Sequence, residues 1–411
     1  MSRGLSKLQH LILKILDEKH GMTSTRTLKT AMGSTISNQS FYRSIQSLEK
    51  RGEIKFYRGG RAGGLVCRKH GNVLLIDVDS KIPNLALMKL SAYHKAQGDA
   101  VDLLKGLKIA DRFEKYDLVY ISCVFTKNAR AARRLAKRLS TSMEVHIGGS
   151  GFDLVTTLPD EIEHLMPDYE LYECDYSIGF TMRGCTRSCS FCIVREKEGY
   201  AHPVGDIYNF YNPKFKSKKI VLLDNNILAL PHHFVKIANQ IKKENLCVDW
   251  NQGLDLKLVT PENAKILASL RFSPYMRFAW DNIKSEPQIR RGIQILKENG
   301  ALKYPAVFYV LCGYDSTFEE DLYRVNTLRD LGQKAFLMVY DRKLLHEPRY
   351  LHLSNWTNVR VHYWTRAFDE YCKNKENGVQ KQKAAERKQR LETKNNPPPI
   401  LHGMDIRSIK L

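Results

Sequence analysis

The spacing of apolar residues divides the first 70 positions into three helices followed by two short strands. Apolar residues recur at helical intervals in three sets: Leu8, Leu11, Ile12, Ile15 and Leu16; then Leu28; then Phe41, Ile45 and Leu48. Two short apolar runs, 54–57 and 65–67, flank a segment that contains Gly59, Gly60, Gly63 and Gly64. This order predicts a small helical unit that ends in a β-hairpin.

Three helices followed by a glycine-tipped hairpin resemble a winged helix-turn-helix domain, here over residues 1–70. Such domains place the third helix in the major groove. In this chain that helix carries Asn38, Gln39, Ser40, Tyr42, Arg43 and Gln46. Residues 1–70 hold 14 basic and 4 acidic side chains, a net +10, with Arg58 and Arg61 near the hairpin tip. The resemblance implies contact with nucleic acid, and packing on a protein partner stays open as an alternative.

Residues 71–172 alternate buried-strand runs with helical patterns. The strands are predicted over 73–78, 116–123 and 145–147, and the last runs into Gly148-Gly149-Ser150-Gly151. The helices are predicted over 84–97 and 129–139, and the second of these is strongly basic. Apolar strands separated by helices predict a parallel sheet in a Rossmann-like layer.

This layer resembles the cobalamin-binding-type domain that precedes many radical S-adenosylmethionine (SAM) enzymes. The resemblance lies in Pro83–Leu87 after the first strand and Ile147–Gly149 at the end of the third. The family's cobalt-ligating Asp-x-His-x-x-Gly motif is missing: His94 and Gly98 have the wrong spacing, and Ala92 stands in place of the aspartate. We expect His94 to be a surface helix residue. Cobalamin would therefore bind only without a histidine ligand, and the glycines fit a tight turn equally well.

Residues 173–372 repeat a strand-then-helix unit about every 30 residues. The predicted strands end near Thr181, Asp224, Gly253, Asp281, Gly313 and Asp341. Six such units predict an α/β fold, a partial (β/α)6 TIM-like barrel, whose site lies at the carboxyl ends of the strands. Residues 373–411 are rich in Lys, Gln and Asn and predict a basic, flexible tail.

Composition restricts the partners more than the fold. Of 411 residues, 43% are apolar and 27% charged, which excludes a mainly disordered or collagen-like chain. No apolar run reaches the ~18 residues of a membrane span, and the N-terminus lacks the apolar core of a signal peptide. We therefore expect a cytoplasmic protein without a membrane partner. The net charge of +21 favours polyanions such as nucleic acid.

Three of the nine cysteines are grouped directly after the first predicted barrel strand. Cys185, Cys189 and Cys192 have the spacing Cys-x3-Cys-x2-Cys. Short spacings let one loop surround a compact metal centre, and thiolates are the ligands that iron–sulfur clusters and zinc prefer. An electron-transfer 4Fe–4S cluster needs four cysteines. Three cysteines therefore leave one iron open for a substrate or cofactor.

The spacing, together with Phe191 before the last cysteine, resembles the signature of the radical SAM superfamily, over about 71–366. By that resemblance Cys185, Cys189 and Cys192 hold a 4Fe–4S cluster, and the amino and carboxylate groups of SAM chelate its fourth iron. An external one-electron donor would reduce the cluster. Cleavage of SAM would then give a 5′-deoxyadenosyl radical that abstracts a hydrogen atom from the substrate.

The resemblance also assigns Phe191 as a cofactor-binding residue. Further cofactor-binding residues are assigned at the strand ends. These are Asp224, Asn225 and Asn226 after the second strand, Gln252 and Asp255 after the third, Asp281 after the fourth, and Val339 and Tyr340 at the end of the sixth. Acidic and amide side chains here would accept hydrogen bonds from the cofactor's ammonium or ribose hydroxyls, and adenine would pack at the sixth strand. Each polar residue could equally cap the next helix.

Alternatives remain for the cysteines and their neighbours. A zinc site completed by Cys174, His202 or His233 would close the open position. Cys67, Cys123 and Cys174 are candidates for a second cluster, although their spacing does not resemble that of methylthiotransferases. Arg183 and Arg187 flank the triplet and could counter its negative charge or reach a substrate phosphate.

The sequence thus predicts a radical SAM enzyme that modifies a nucleic acid or a nucleic-acid-associated substrate, by methylation or related carbon-centred chemistry. The main alternative is a DNA-binding regulator whose cluster senses oxygen or redox state. A third interpretation keeps the enzyme but gives it a protein or small-molecule substrate, with the winged helix as a docking module. Polar strand ends favour the enzyme, since a sensor does not need them.

Overall fold

The computed structural model describes residues 5–18, 22–33, 36–57, 65–68, 71–107 and 116–375. Within these, the chain forms two compact units: Met1–Gln252 with Leu270–Ser273, and Gly253–Ser269 with Pro274–Leu411. Parallel strands alternate with helices in both, which confirms the mixed α/β class with parallel sheets. The boundary between the units falls inside the segment 173–372 that was predicted as a barrel.

Three helices and three strands form the N-terminal part of the first unit. The helices are α1 Lys7–Glu18, α2 Thr25–Met32 and α3 Asn38–Lys50, and the strands are β1 Met22–Ser24, β2 Ile54–Tyr57 and β3 Leu65–Arg68. Ser24 and Ser37 cap α2 and α3 by accepting backbone N–H groups of the first turns. The strands pair antiparallel in the order β1-β3-β2, and β1 was not predicted. Arg58 and Arg61 lie outside the described residues.

A four-stranded parallel sheet follows, which we call the N-terminal parallel sheet. Its strands are β4 Asn72–Asp77, β5 Ala100–Lys105, β6 Leu118–Ser122 and β7 Glu144–Gly148, in the order β5-β4-β6-β7. The helices here are α4 Leu85–Ala96, α5 Thr126–Leu139 and α6 Asp160–Glu163. The edge strand β5 was not predicted, because its residues are only half-buried and give no continuous apolar run.

The expectation that His94 is a surface residue is wrong. Its side chain is buried on α4, with 6% of its surface exposed. Nδ1 lies 2.7 Å from the Asp99 carboxylate and Nε2 lies 3.2 Å from the Tyr120 hydroxyl. The helix pattern did not reveal this burial because both partners follow α4 in the chain: Asp99 lies just before β5, and Tyr120 lies on β6.

The rest of the first unit contains a second parallel sheet and a small antiparallel ribbon. Its elements are β8 Ser177–Gly179, β9 Met182–Arg183, α7 Val194–Glu198, β10 His202–Pro203, β11 Lys219–Leu222, α8 Pro231–Lys243, β12 Cys247–Trp250 and β13 Arg271–Phe272. The parallel sheet has the order β13-β12-β11-β8, and β9 pairs with β10. Buried Ile178, Ile220, Leu222, Val248 and Trp250 form its core.

The second unit has a three-stranded parallel sheet in the order β14-β15-β16. Its elements are α9 Pro261–Ala268, β14 Arg277–Ala279, α10 Glu286–Glu298, β15 Val307–Cys312, α11 Phe318–Asp330, β16 Lys334–Val339, α12 Pro348–Asn358 and α13 Arg360–Thr365. Residues 368–375 are also helical, so the segment predicted as a tail from 373 begins inside a helix. Its residues 376–411 lie outside the described chain.

A buried ion pair joins two strand ends of this second unit. Arg324 and Asp321 on α11 are fully buried and form a salt bridge. The guanidinium also donates to the carbonyl oxygens of Trp280 and Leu311, which lie at the ends of β14 and β15. The sequence spacing of three residues does not distinguish this buried pair from an exposed ion pair on a helix surface.

The six predicted strand ends of segment 173–372 agree with observed strands. β8, β11, β12, β14, β15 and β16 each end one to three residues before the predicted positions. The short β13 was not predicted. Among the described residues, no helix combines the length and the apolar character needed to cross a membrane.

Candidate functional site

The three cysteines lie on one loop, residues 185–192, which we call the cysteine loop. It follows β9, and the pairing of β9 with β10 closes the base of the segment that contains it. Cys185 and Cys189 are half-buried and Cys192 is exposed. The Cys192 N–H donates to the Cys189 carbonyl at 3.0 Å, which forms a tight turn between the last two cysteines. Three thiols are thus presented by a short segment at the surface.

Backbone packing holds the start of this loop. Gly184 has φ +77°, and a Cβ at this position would meet the Tyr200 carbonyl oxygen at 2.2 Å. The Cys185 N–H donates to the Gly199 carbonyl at 3.2 Å, and Arg195 donates to the Cys185 carbonyl at 3.0 Å. The backbone that enters the cysteine loop at 184–185 therefore touches the backbone at 199–200, and only glycine fits at 184. Nothing in the sequence marks Arg195 for this role.

Asp224, after β11, fixes the strand-to-loop connection. Its carboxylate accepts the N–H groups of Thr181 at 2.6 Å and Met182 at 3.0 Å, and the Thr181 hydroxyl at 2.7 Å. The side chain is 1% exposed. Burial raises the pKa of Asp224 to about 6, against the opposing effect of the hydrogen bonds from Thr181 and Met182. Asp224 therefore positions the segment that leads into the cysteine loop.

The next two residues reach the loop itself. The Asn225 side-chain oxygen accepts the Gly184 N–H at 2.9 Å. The Asn226 side-chain nitrogen donates to the Cys185 Sγ at 3.5 Å, and the Arg187 N–H donates to the same sulfur at 3.4 Å. The structure therefore brings the predicted residues 224–226 to the cysteines. Asp224 and Asn225 hold the loop backbone, a role that the sequence did not distinguish from cofactor binding.

Two other predicted residues lie in the cysteine loop and after β12. Phe191 is half-buried within the cysteine loop, and Gln252 is exposed two residues after the end of β12. Their assignment to cofactor binding stays a prediction from the sequence.

Of the predicted residues in the second unit, Asp255 follows β12 of the first unit along the chain, and the other three lie at the ends of β14 and β16. Asp255 accepts the Lys257 N–H at 3.2 Å and caps a short 3-10 helix, which is the capping alternative raised from the sequence. Asp281 is half-buried, two residues after β14. Val339 is half-buried at the end of β16, and the Tyr340 ring packs edge-on against Tyr314 with centroids 4.7 Å apart.

The sheet that ends in Val339 has one open apolar face. Ala335 and Leu337 on β16 are buried, whereas the alternating Phe336, Met338 and Tyr340 are 41%, 48% and 54% exposed. Side chains alternate between the two faces of a strand. A row of exposed large apolar side chains therefore leads to the predicted adenine position, and such a row suits packing of a planar base.

The side chains considered for a zinc site or a second cluster have other partners. His202 contacts the Tyr200 carbonyl at 2.7 Å and His233 contacts the Thr181 carbonyl at 3.0 Å. Burial raises the pKa of the Cys123 thiol to about 11, which disfavours the thiolate that a metal needs. Cys174 packs against a hydrophobic core, and the Cys67 side chain lies outside the described residues.

Arg183, beside the triplet, is engaged by two carboxylates. Its guanidinium bridges Glu163 at 2.8 Å and Glu198 at 3.0 Å and lies over the Phe180 ring. Its charge is thus compensated within the chain, and it ties the loop base to neighbouring elements. The sequence contained no sign of these two partners, which lie 20 and 15 residues away.

The glycine loop of the N-terminal parallel sheet packs against its own chain. A Cβ at Gly149, where φ is +100°, would meet the Cys123 carbonyl oxygen at 2.4 Å, and one at Gly151 would meet the Phe125 backbone at 2.5 Å. Asp79, after β4, accepts the N–H groups of Val124 and Phe125 at 2.8 and 3.1 Å. The close approach that the glycines allow is therefore to the loop after β6.

The donor set of the cysteine loop fits an iron–sulfur cluster. In the described part of the chain, no three His, Cys, Asp or Glu side chains form a group that could hold one metal ion. The cysteines of a 4Fe–4S cluster each bind a different iron, so they need not converge on one point. Three thiols on one loop, with amide and backbone N–H donors at a sulfur, are the ligands such a cluster uses.

Comparison with known proteins identifies no relative of this chain. No protein-family model matches the chain, and no match is found among curated proteins.

Proposed function

We propose that this protein is a radical SAM enzyme. The observation that carries the proposal is the position of Cys185, Cys189 and Cys192 on one surface loop after β9, with Asn226, which follows the parallel strand β11, donating to Cys185 Sγ. Three ligands from one loop leave one iron of a 4Fe–4S cluster without a protein ligand. The proposed cofactors are this cluster and SAM.

The proposal includes a finer assignment of the fold. The order α1-β1-α2-α3-β2-β3, with β3 between β1 and β2, supports a winged helix-turn-helix domain for the N-terminal part. The six strands predicted in segment 173–372 all occur as parallel strands, in sheets of the first and second units, which supports a partial (β/α)6 barrel.

The chain's own residues would prepare the site for this chemistry. A bound cluster, reduced by an external electron donor, would supply the electron that cleaves SAM to a 5′-deoxyadenosyl radical. Asp224 and Asn225 hold the loop backbone, so that the thiols keep fixed positions. The N–H groups of Asn226 and Arg187 compensate thiolate charge at Cys185. In the second unit, the exposed row Phe336, Met338 and Tyr340 has the apolar chemistry that packing of an adenine ring needs.

The proposed substrate is a nucleic acid or a molecule bound to one. The polar residues of α3 named from the sequence are all exposed: Asn38, Gln39, Ser40, Tyr42, Arg43 and Gln46. An exposed polar helix within residues 1–70, a segment with a net charge of +10, suits phosphate and base contacts. Binding to a labelled duplex that weakens as salt rises would support this substrate class over a protein-docking role.

Cobalamin is not part of the proposal. The chain lacks the cobalt-ligating histidine motif, and its glycine loop packs against the loop after β6. The test is anaerobic incubation with hydroxocobalamin followed by desalting. If the protein then retains a stoichiometric amount of cobalt, cobalamin has to be added to the proposed cofactors.

The decisive experiment measures cluster content and SAM cleavage together. Protein reconstituted anaerobically with iron and sulfide should contain about four irons and four sulfides. With SAM and a reductant it should form 5′-deoxyadenosine. Cys189→Ala should lose both, whereas Cys174→Ala, which alters a half-buried cysteine outside the loop, should retain both. Zinc in place of iron, or equal 5′-deoxyadenosine from Cys189→Ala and the unaltered protein, would contradict the proposal.

A redox-sensing DNA-binding regulator is the second candidate. One observation favours it: Asp224 and Asn225, two of the polar strand-end residues that suggested a cofactor site, are engaged by the protein backbone. A regulator would bind DNA with an affinity that changes on cluster oxidation and would form no 5′-deoxyadenosine. The same reconstituted protein therefore separates the two functions.

A further inference from the structure

We propose that helix α5 is a second nucleic-acid contact surface, which binds the sugar–phosphate backbone independently of the winged helix. The helix carries six cations and no acidic residue over Thr126–Leu139. All six are exposed: Lys127, Arg130, Arg133, Arg134, Lys137 and Arg138. We call this set the α5 cationic stripe.

Helical geometry places the stripe on one side of α5. At about 100° per residue, the six side chains fall within an arc of about 140°, and they extend over about 16 Å along the axis. The opposite side is apolar and buried, with Ala129, Ala132, Leu135 and Leu139 packed towards the sheet. The stripe is therefore a continuous charged surface held by a rigid element.

Among the residues that the structure describes, no carboxylate compensates the charge of the stripe. None of the six cations forms an ion pair with a carboxylate in the described residues. Arg133 contacts only the ring and carbonyl of Phe152. Arg130, Arg134 and Arg138 follow one another at intervals of four residues, where like charges repel. A bound polyanion would relieve this repulsion.

The chemistry of the stripe favours nucleic acid over other anionic partners. A helix that inserts into a membrane surface needs a free apolar face, and the apolar face of α5 is buried. A protein interface usually has aromatic or aliphatic anchors at its centre, whereas the centre of the stripe consists of cations and the exposed Phe125 lies at its N-terminal end, beside Lys127. Four of the six cations are arginines, and one guanidinium can donate to two phosphate oxygens at once. A phosphate backbone supplies closely spaced charges over the length of the stripe.

The test is a binding titration with the full-length, reconstituted protein. The probes are fluorescein-labelled RNA and DNA of mixed sequence, each single- and double-stranded, and the readout is anisotropy over a range of salt concentrations. The triple variant Arg130→Gln, Arg134→Gln, Arg138→Gln should bind at least one of these probes about tenfold more weakly at low salt. Its slope of log K against log salt for that probe should be shallower by about 2–3.

A charge-matched control separates the stripe from net charge. Lys242→Gln, Lys243→Gln, Arg291→Gln removes three exposed cations from α8 and α10 and should change the affinity less than twofold. Glutamine keeps helix propensity, and circular dichroism checks that each variant is folded. Equal losses in both triple variants, or no loss in the α5 variant, would overturn the inference.

Two further measurements exclude the other anionic partners. Neither phosphatidylcholine–phosphatidylserine vesicles nor polyglutamate should show binding that depends on the stripe. If the α5 variant loses vesicle or polyglutamate binding and keeps nucleic-acid binding, the inference is wrong. The stripe shares no residue with the cysteine loop, and 5′-deoxyadenosine formation without nucleic acid is measured separately. Failure of the proposed cluster chemistry can therefore be distinguished from failure of nucleic-acid binding by the stripe.

Discussion

Two carboxylates, Asp79 and Asp224, perform the same local task in two parallel sheets of the first unit. Asp79 follows β4 and accepts two backbone N–H groups from the loop after the neighbouring strand β6. Asp224 follows β11 and accepts two backbone N–H groups from the connection after the neighbouring strand β8. Both positions use the rule that parallel strands end at one edge of the sheet, where a side chain of one strand reaches the next loop.

The two loops then differ in what they present. The loop after β6 is filled by the glycines at 149 and 151, which pack on its backbone. The loop after β9 uses its own glycine, Gly184, to turn outward and expose three thiols. A carboxylate that accepts backbone N–H groups is therefore found beside a closed sheet edge at Asp79, and beside a loop that presents thiols at Asp224. The comparison indicates that the polar residue at a strand end is structural in both places, and the cysteines carry the chemistry.

The largest effect should come from removing the buried anchor. Asp224→Ala leaves the N–H groups of Thr181 and Met182 without their acceptor, and we expect it to lower the free energy of unfolding by at least about 3 kcal/mol. Iron retained after reconstitution should fall sharply. Asp79→Ala should cost less, about 1–2 kcal/mol, because its partners are partly exposed, and iron should be unchanged. Equal iron in both variants would show that Asp224 does not position the cysteine loop.

The two glycines provide a matched pair of backbone changes. Gly184→Ala and Gly149→Ala both place a Cβ against a carbonyl oxygen at a positive φ, so each should destabilise the protein by about 3 kcal/mol. Only Gly184→Ala should reduce bound iron and 5′-deoxyadenosine formation. Denaturant unfolding and iron analysis measure the two effects, and iron loss in Gly149→Ala would remove the distinction between the loops.

The pH dependence of stability should reveal the burial of Asp224. Burial raises its pKa to about 6, above the value of about 3.9 in an unfolded chain, so the folded state holds the proton more tightly. The contribution of this residue is therefore greatest below about pH 4 and falls by about 2–3 kcal/mol as pH rises above 6. Relative to Asp224→Asn, the unaltered protein should lose stability between these limits in denaturant unfolding. A pH-independent difference between them would contradict this.

The smallest expected effect concerns one hydrogen bond to sulfur. Asn226→Ala removes the amide donor 3.5 Å from Cys185 Sγ, and hydrogen bonds to cluster sulfurs help to set the reduction potential. We expect a modestly lower potential with unchanged iron content, measured by redox titration with electron paramagnetic resonance. Asn225→Ala removes the acceptor of the Gly184 N–H but no donor to a sulfur, so it is the control for an effect that comes from loosening the loop. An unchanged potential in Asn226→Ala would mean that this contact does not tune the cluster.

Much of the candidate site could be predicted because its residues are close in sequence. Cys185, Cys189 and Cys192 share one loop, and residues 224–226 come directly after one strand. What each does could not be predicted. Asp224 meets Thr181 across 43 residues, and the Arg183 carboxylates come from two separate helices. The strands β1 and β13 were missed because they are only three and two residues long. The strand β5 was missed because its residues are only half-buried and Asp102 interrupts its apolar run. All three depend on a neighbouring strand for their hydrogen bonds.

By itself, the amino-acid sequence determined the alternation of strands and helices, the excess of positive charge and the spacing of the three thiols. These properties depend on side-chain type and on intervals of a few residues, which need no long-range contact. The tertiary structure decided which polar groups are buried, as with His94 and Asp224, and which glycines touch another backbone. Burial and hydrogen bonding between distant segments exist only after the chain has folded, because they require desolvation and a partner brought close by packing.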